Sequence, residues 1–153
     1  MKPLFLFSFI FTLIFFSCKN TGSTVEKKSL SEDFSQQITE KYWKLKVLNK
    51  KKIKMEKHQE REVYFILKTE RNKVKGFAGC NHFSGFYDLK NKQQKIKFTN
   101  FSTAKKTCDQ LKFDENDFLD VLEKTAKFEL KKDQLSLKDN KNKILAEFEA
   151  IYF

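Results

Sequence analysis

Five side chains in this sequence are best suited to reactive or ligand chemistry: Cys18, Cys80, Cys108, His58 and His82. A thiolate beside an imidazole is a nucleophile, and Cys80 and His82 are two residues apart, which on a strand places them on one face. A thiol protease also needs an orienting Asn or Asp, and Asn81 would point to the opposite face. Cys80, His82, Cys108 and Asp109 make a donor set of the kind zinc or copper takes, but without the close C-x-x-C pairs of zinc sites. A disulfide between Cys80 and Cys108 is the simplest state in an oxidising compartment, and two buried free thiols are the remaining alternative. His58 falls in the charged stretch Asn49 to Arg61 and reads as a solvated residue at a loop tip. The expectation adopted is the disulfide, with no metal, no cofactor and no catalytic group.

Around Cys80 the backbone itself is unusual. After Gly22 the only glycines are Gly76, Gly79 and Gly85, all within ten residues. Glycine is used where no side chain fits or where φ must be positive. The window therefore predicts a tight turn between two strands, with Asn81 also suited to a left-handed conformation. It matches neither G-x-G-x-x-G before a helix nor the G-x-x-x-x-G-K-[ST] loop, so nucleotide binding is not supported.

What positions these residues starts with where the chain goes. Met1–Cys18 reads MKPLFLFSFIFTLIFFSC, a stretch from Leu4 to Phe16 broken only by Ser8 and Thr12. That is the length of a signal-peptide core, whereas a spanning helix needs about 20 apolar residues. Ser17-Cys18 resembles the lipobox of bacterial lipoproteins, with Phe15 and Phe16 where that motif carries Leu and a small residue. The resemblance implies cleavage before Cys18 and lipidation of that cysteine as the first mature residue, with acyl chains that hold a protein stably on a bilayer when two or more are present. Residues 1–17 are thus expected to be a lipoprotein signal peptide and residues 18–40 a lipidated N-terminus and polar tether, with a short helix capped by Ser29 or Ser31 within Leu30 to Ile38. Residues 41–153 are left for one domain, and 153 residues in all suit one core.

The charge is +11, but only Arg61 and Arg71 among 31 cations are arginines. Lysine is a point charge where phosphate and base readout favour the planar guanidinium fork, so no nucleic-acid partner is expected. A basic surface facing the envelope is the reading adopted.

From Tyr42 the hydrophobic period is two. Trp43, Leu45 and Val47 share a face; Val63 to Leu67 is apolar throughout and reads as a central strand covered on both sides. Val74 to Ala78, Phe86 to Leu89, Ile96 to Phe98, Leu135 with Leu137, and Ile144 to Tyr152 supply further strands. One segment, Asp114 to Ala126, switches to helical spacing through Phe118, Val121, Leu122 and Thr125. Its carboxylates Asp114, Glu115, Asp117 and Asp120 suit a cap and the positive end of the dipole. The expected fold is mainly β, a small antiparallel sheet that curls or closes like a barrel, with one α-helix.

The segment Gly79-Cys80-Asn81-His82-Phe83-Ser84-Gly85-Phe86-Tyr87 resembles the G-C-N-x-F-x-G-x-Y signature of the META domain, also called the HslJ-like family of bacterial heat-shock and envelope lipoproteins. Trp43-Lys44-Leu45 is similar to that family's opening W-x-L strand. Ser102-Thr103 with Cys108 resembles its S-T-x-x-x-C segment, one residue longer here, and Glu115 to Leu122 its E-x-x-F-x-x-x-L helix. The likeness spans about residues 41 to 148. It implies a barrel-like domain with one helix and no established enzymatic activity, and makes Gly79, Cys80, Asn81, Phe83, Gly85 and Tyr87 the family motif. The expected role is a non-catalytic, lipid-anchored envelope protein acting in envelope stress or small-molecule tolerance, probed against a second expectation: a basic module for anionic lipid headgroups, lipopolysaccharide or an acidic polymer.

Overall fold

Nine strands, one α-helix of ten residues and two single-turn 3-10 helices, Glu70–Asn72 and Asn91–Gln93, are the main elements of the computed structural model, which describes residues 37–153. The leader, Cys18 and the tether up to residue 36 lie outside the described residues. So does the helix expected from Leu30, except for Gln37 and Ile38, which are helical. The strands are β1 (Tyr42–Leu48), β2 (Lys51–Lys52), β3 (Tyr64–Lys68), β4 (Lys73–Phe77), β5 (His82–Lys90), β6 (Lys95–Thr103), β7 (Lys127–Lys131), β8 (Gln134–Lys138) and β9 (Ile144–Ile151), with α1 (Glu115–Lys124) between β6 and β7. All pairings are antiparallel. The sheet runs β2-β1-β3-β4-β5-β6-β7-β8-β9, and β1 also pairs with β9, so it curls into a ring as the alternating sequence predicts.

The ring is weakest between β6 and β7, which share a single register pair, Lys95 with Lys127. There the helix supplies the missing wall. Asp114 caps it by accepting from the Asn116 amide at 2.8 Å, and Phe118, Val121 and Leu122 are buried from its inner face. Phe118 packs against Phe83 and Phe148 from opposite sides of the ring, with ring centroids 5.8 and 6.3 Å apart. Thr125 ends the helix by turning its hydroxyl back onto the Val121 carbonyl at 2.7 Å.

Register departs from the simple alternation in β1. Trp43 and Leu45 are buried, but a bulge opposite β9 falls between Leu45 and Val47, so Val47 is only half-buried and Leu48 turns into the core instead. In β3 the inner residues Phe65 and Leu67 are fully buried while Tyr64 and Ile66 are only partly covered. The strand is therefore buried on one side and only partly covered on the other, because none of the described elements forms a layer outside the ring there. Two elements lack a sequence signal. Lys51–Lys52 pairs with Val47–Leu48 in what reads as a loop, and β7, Lys-Phe-Glu-Leu-Lys, is too short and charged to stand out.

Outside the ring, Glu129 of β7 lies between Lys131, 2.7 Å away, and Lys138 of β8. The hydrogen bond from Lys131 first, then that from Lys138, holds its carboxyl down at about 2. A carboxyl whose folded value is depressed contributes stability above its ordinary range, lost as pH falls toward that depressed value. A carbon-detected NMR titration is expected to show Glu129 ionised well below the other carboxylates, and to move it upward in Lys131→Ala and Lys138→Ala variants. An ordinary titration in the parent would refute the pairing.

Candidate functional site

The hairpin between β4 and β5 is built by the glycine window, though not as a run of left-handed residues. Between Gly76 and Gly85 only Gly79 has a positive φ, +98°. Asn81 does not, and Gly76 and Gly85 lie inside β4 and β5, where what matters is the absence of a side chain. The turn closes through the Ala78 amide, which donates to the Asn81 carbonyl at 2.8 Å.

Cys80 sits in this turn rather than on the strand, so it does not share a strand face with His82. Its sulfur is bonded to Cys108, 28 residues away, and this disulfide ties the hairpin to the long loop between β6 and α1. His82 opens β5 as an exposed residue with its ring edge-on to Phe77, 5.2 Å between centroids, and His58 is likewise exposed. With Cys80 and Cys108 bonded together, no thiolate is left among the described residues for a nucleophile or a ligand set. Among the described residues no three His, Cys, Asp or Glu side chains group around a metal-sized position.

Asn81 is the residue on which this end of the fold converges. It is 3% exposed. Its Oδ1 accepts from the Lys106 amide at 3.0 Å while its Nδ2 donates to the Lys106 carbonyl at 3.0 Å. The side-chain amide thus pairs with the loop backbone as a neighbouring strand would. Nδ2 also reaches the Glu115 carboxylate at 3.0 and 3.1 Å, and the Asn81 backbone amide donates to the same carboxylate at 3.2 Å. Glu115, the first helical residue, therefore joins the hairpin to the start of α1. An Asn81→Ala variant removes the side-chain bonds to the Lys106 backbone and to Glu115, leaving Glu115 only the residue-81 backbone amide, and is expected to lower the free energy of unfolding by about 3 kcal/mol in urea melts. A loss under ~1 kcal/mol would show water replacing these bonds without penalty.

A second latch lies beside it. The Glu56 carboxylate accepts from the amides of Lys112 at 3.0 Å and Phe113 at 2.9 Å. Gln59, buried in the same loop, accepts from the Glu56 amide at 3.1 Å and donates to the Arg61 carbonyl at 2.7 Å. The stretch Asn49 to Arg61 is thus partly pinned rather than a free tip. Sequence reasoning missed Glu56, Lys106 and the partner role of Glu115, because contacts spanning 25 to 57 residues leave no local spacing.

The rest of the motif is equally committed. Phe83 is buried, edge-on to Phe101 at 5.6 Å. Tyr87 donates its hydroxyl to the Lys68 carbonyl at 3.2 Å, and burial pushes that hydroxyl's pKa up, keeping it a donor. Of the helix carboxylates, Asp120 pairs with Lys124 at 3.0 Å. A cleft of about 990 Å³ lies elsewhere, where the β5–β6 and β8–β9 turns meet α1. Its rim mixes Asp88, Asp117 and Asp120 with Lys90, Lys97 and Lys124, so neither sign is concentrated there.

Removing the cystine in a Cys80→Ala, Cys108→Ala protein is expected to lower stability by about 3.5 kcal/mol on loop-closure entropy. It should also open the 104–112 loop to protease. A loss under ~1 kcal/mol would mean that Asn81 and Glu56 hold the loop unaided.

The model of the META domain family matches residues 36–151. A structure solved by NMR from Burkholderia xenovorans has a similar fold, with TM-score 0.62 at 19% identity, covering 79% of this chain and 88% of that one. A second NMR structure gives TM-score 0.58 at 20% identity over 74% of this chain and 92% of the other. No curated protein matches the chain.

Proposed function

Because the chain belongs to the META domain family, we propose that it is a non-catalytic envelope protein, held on a bilayer by acyl chains at Cys18, whose ring of strands serves as a binding or stability module under envelope stress or small-molecule challenge. The observation that carries this reading is how the signature side chains are used. Cys80 is bonded to Cys108, Asn81 joins hairpin, loop and helix, Phe83 packs in the core and Tyr87 holds the Lys68 carbonyl. Such a motif builds a durable scaffold, and a cystine suits an oxidising compartment. Reading function from a family rests on analogy, so location is the first thing to test.

Metabolic labelling with a fatty acid, followed by separation of inner and outer membranes, is the direct experiment. Label is expected on the parent protein and not on Cys18→Ser; label that survives the substitution overturns the anchor. In cells lacking the protein, the parent but not Cys18→Ser should restore tolerance of envelope stress.

The charge of +11 favours a second reading, a binder of anionic ligands, through the one dense run of Lys50, Lys51, Lys52, Lys54 and Lys57. Against it, every strand except β9 carries a lysine, and several of these are paired, such as Lys46 with Glu149 at 2.9 Å. Retention on anionic vesicles that vanishes with salt and with serine at those five positions would favour the second reading.

A further inference from the structure

Polar residues cover most of the outer surface of the ring, but where the chain enters β1 the surface is aromatic. Tyr42 and Tyr64 stack with centroids 4.0 Å apart, and Phe153 packs edge-on to Tyr42 at 5.4 Å. Phe153 is fully exposed and Tyr152 is 64% exposed. Ile151, paired with Tyr42, is half-buried between them and the sheet, and the Lys41 ammonium lies 5.6 Å from the Tyr152 ring. Large exposed aromatics gathered in one place signal an interaction surface. The charges bordering the patch are matched: Lys44 with Glu62, Arg61 with Glu60, Lys46 with Glu149. Apart from Lys41, these bordering charges cancel and give no strong net sign to attract a charged partner.

We propose that this patch of Tyr42, Tyr64, Ile151, Tyr152 and Phe153 is the face by which the domain docks on the headgroup boundary of the bilayer that carries its anchor. The inference rests on acylation at Cys18. Cys18 precedes Gln37 by 19 residues, so even fully extended the intervening chain spans at most about 65 Å. It enters the domain five residues before Tyr42, so the patch lies beside the end of the ring from which the tether leaves and well within its reach. A tethered surface works at high effective concentration, so a contact too weak for a free protein suffices. The composition fits the boundary: tyrosine and phenylalanine place apolar rings among the headgroups, and Lys41 can extend its ammonium toward phosphate. With matched charges at its border, the contact is apolar in origin and insensitive to lipid charge.

The test uses the full acylated protein in vesicles of dibrominated phosphatidylcholine, with and without phosphatidylglycerol. Trp43 is fully buried and provides a constant background. Phe153→Trp adds a reporter in the patch, and Phe86→Trp adds one on β5, 43% exposed and two strands beyond β3. Flotation of the vesicles reads the anchor, and bromine quenching reads the docking. Docking predicts that the Phe153→Trp protein loses about half of its added emission, since interfacial groups sit within ~10 Å of the acyl boundary, while the Phe86→Trp protein loses almost none. The quenching should persist in high salt and be equal in both lipids. Flotation without quenching, or equal quenching at both positions, overturns the docking while leaving the anchor intact; if copies then cross-link through the patch, its occupant is a second copy. Quenching abolished by salt assigns attachment to charge and also overturns the proposal. Failure to float removes the anchor and the proposal with it.

Discussion

Gly76→Ala is expected to lower the domain's free energy of unfolding by about 3 kcal/mol or more. A Cβ on Gly76 would lie 2.1 Å from the Tyr64 carbonyl oxygen and 2.6 Å from the Phe83 ring. The ring edge could yield, but the carbonyl belongs to β3, which pairs with β4 from Tyr64–Phe77 to Lys68–Lys73. Restoring ordinary contact means moving one strand from the other by more than an ångström, and overpacked sites that cannot relax cost upwards of ~3 kcal/mol. Against the 5–15 kcal/mol typical of a domain this is a large fraction. Gly79→Ala is the comparison. Its strain comes from φ, and the nearest atom, 2.5 Å away, is on the movable Phe113 ring, so its cost should be about 1–2 kcal/mol. Urea unfolding followed by the emission of Trp43 measures both; a Gly76→Ala loss no larger than that of Gly79→Ala would refute the account.

Trp43→Ala should cost about 4 kcal/mol, as truncation of a buried aromatic residue does. Trp43 is fully buried, and its indole N–H donates to the Ile38 carbonyl at 2.8 Å, the bond that fixes the chain as it enters β1. Alanine removes the ring from the core and leaves that carbonyl without its donor. Trp43→Phe keeps much of the packing and loses only the donor, so a loss of about 1–2 kcal/mol is expected. Calorimetry can compare the two, since the fluorophore is gone from both. Equal losses would mean that the hydrogen bond, not the packing, dominates.

How much of this was legible beforehand depended on the range of the interaction involved. Helix α1 could be read from Phe118, Val121 and Leu122 with Asp114 as cap, because spacing and cap act within four residues. Strands with alternating apolar residues were legible for the same reason, including β8 through Leu135 and Leu137. The glycine window marked the right hairpin but misassigned its cause: Gly76 is required by a strand twelve residues earlier, and no turn preference encodes that. The bulge that brings Leu48 inward was also unreadable, since it arises from pairing with β9 about a hundred residues on.

The amino-acid sequence by itself determined that this is a β-rich domain with one helix, a tight glycine hairpin and the family signature, since each is written in neighbouring residues; that Cys80 and Cys108 are bonded to each other, 28 residues apart, is settled by the structure. Only the tertiary structure decided that β1 closes the ring on β9, that α1 fills the gap between β6 and β7, and that Asn81 is shared by Lys106 and Glu115. The physical reason is that local conformation depends on steric and hydrogen-bonding preferences a few residues long. Ring closure and the burial of an amide depend on which distant surfaces meet once the whole apolar core has formed.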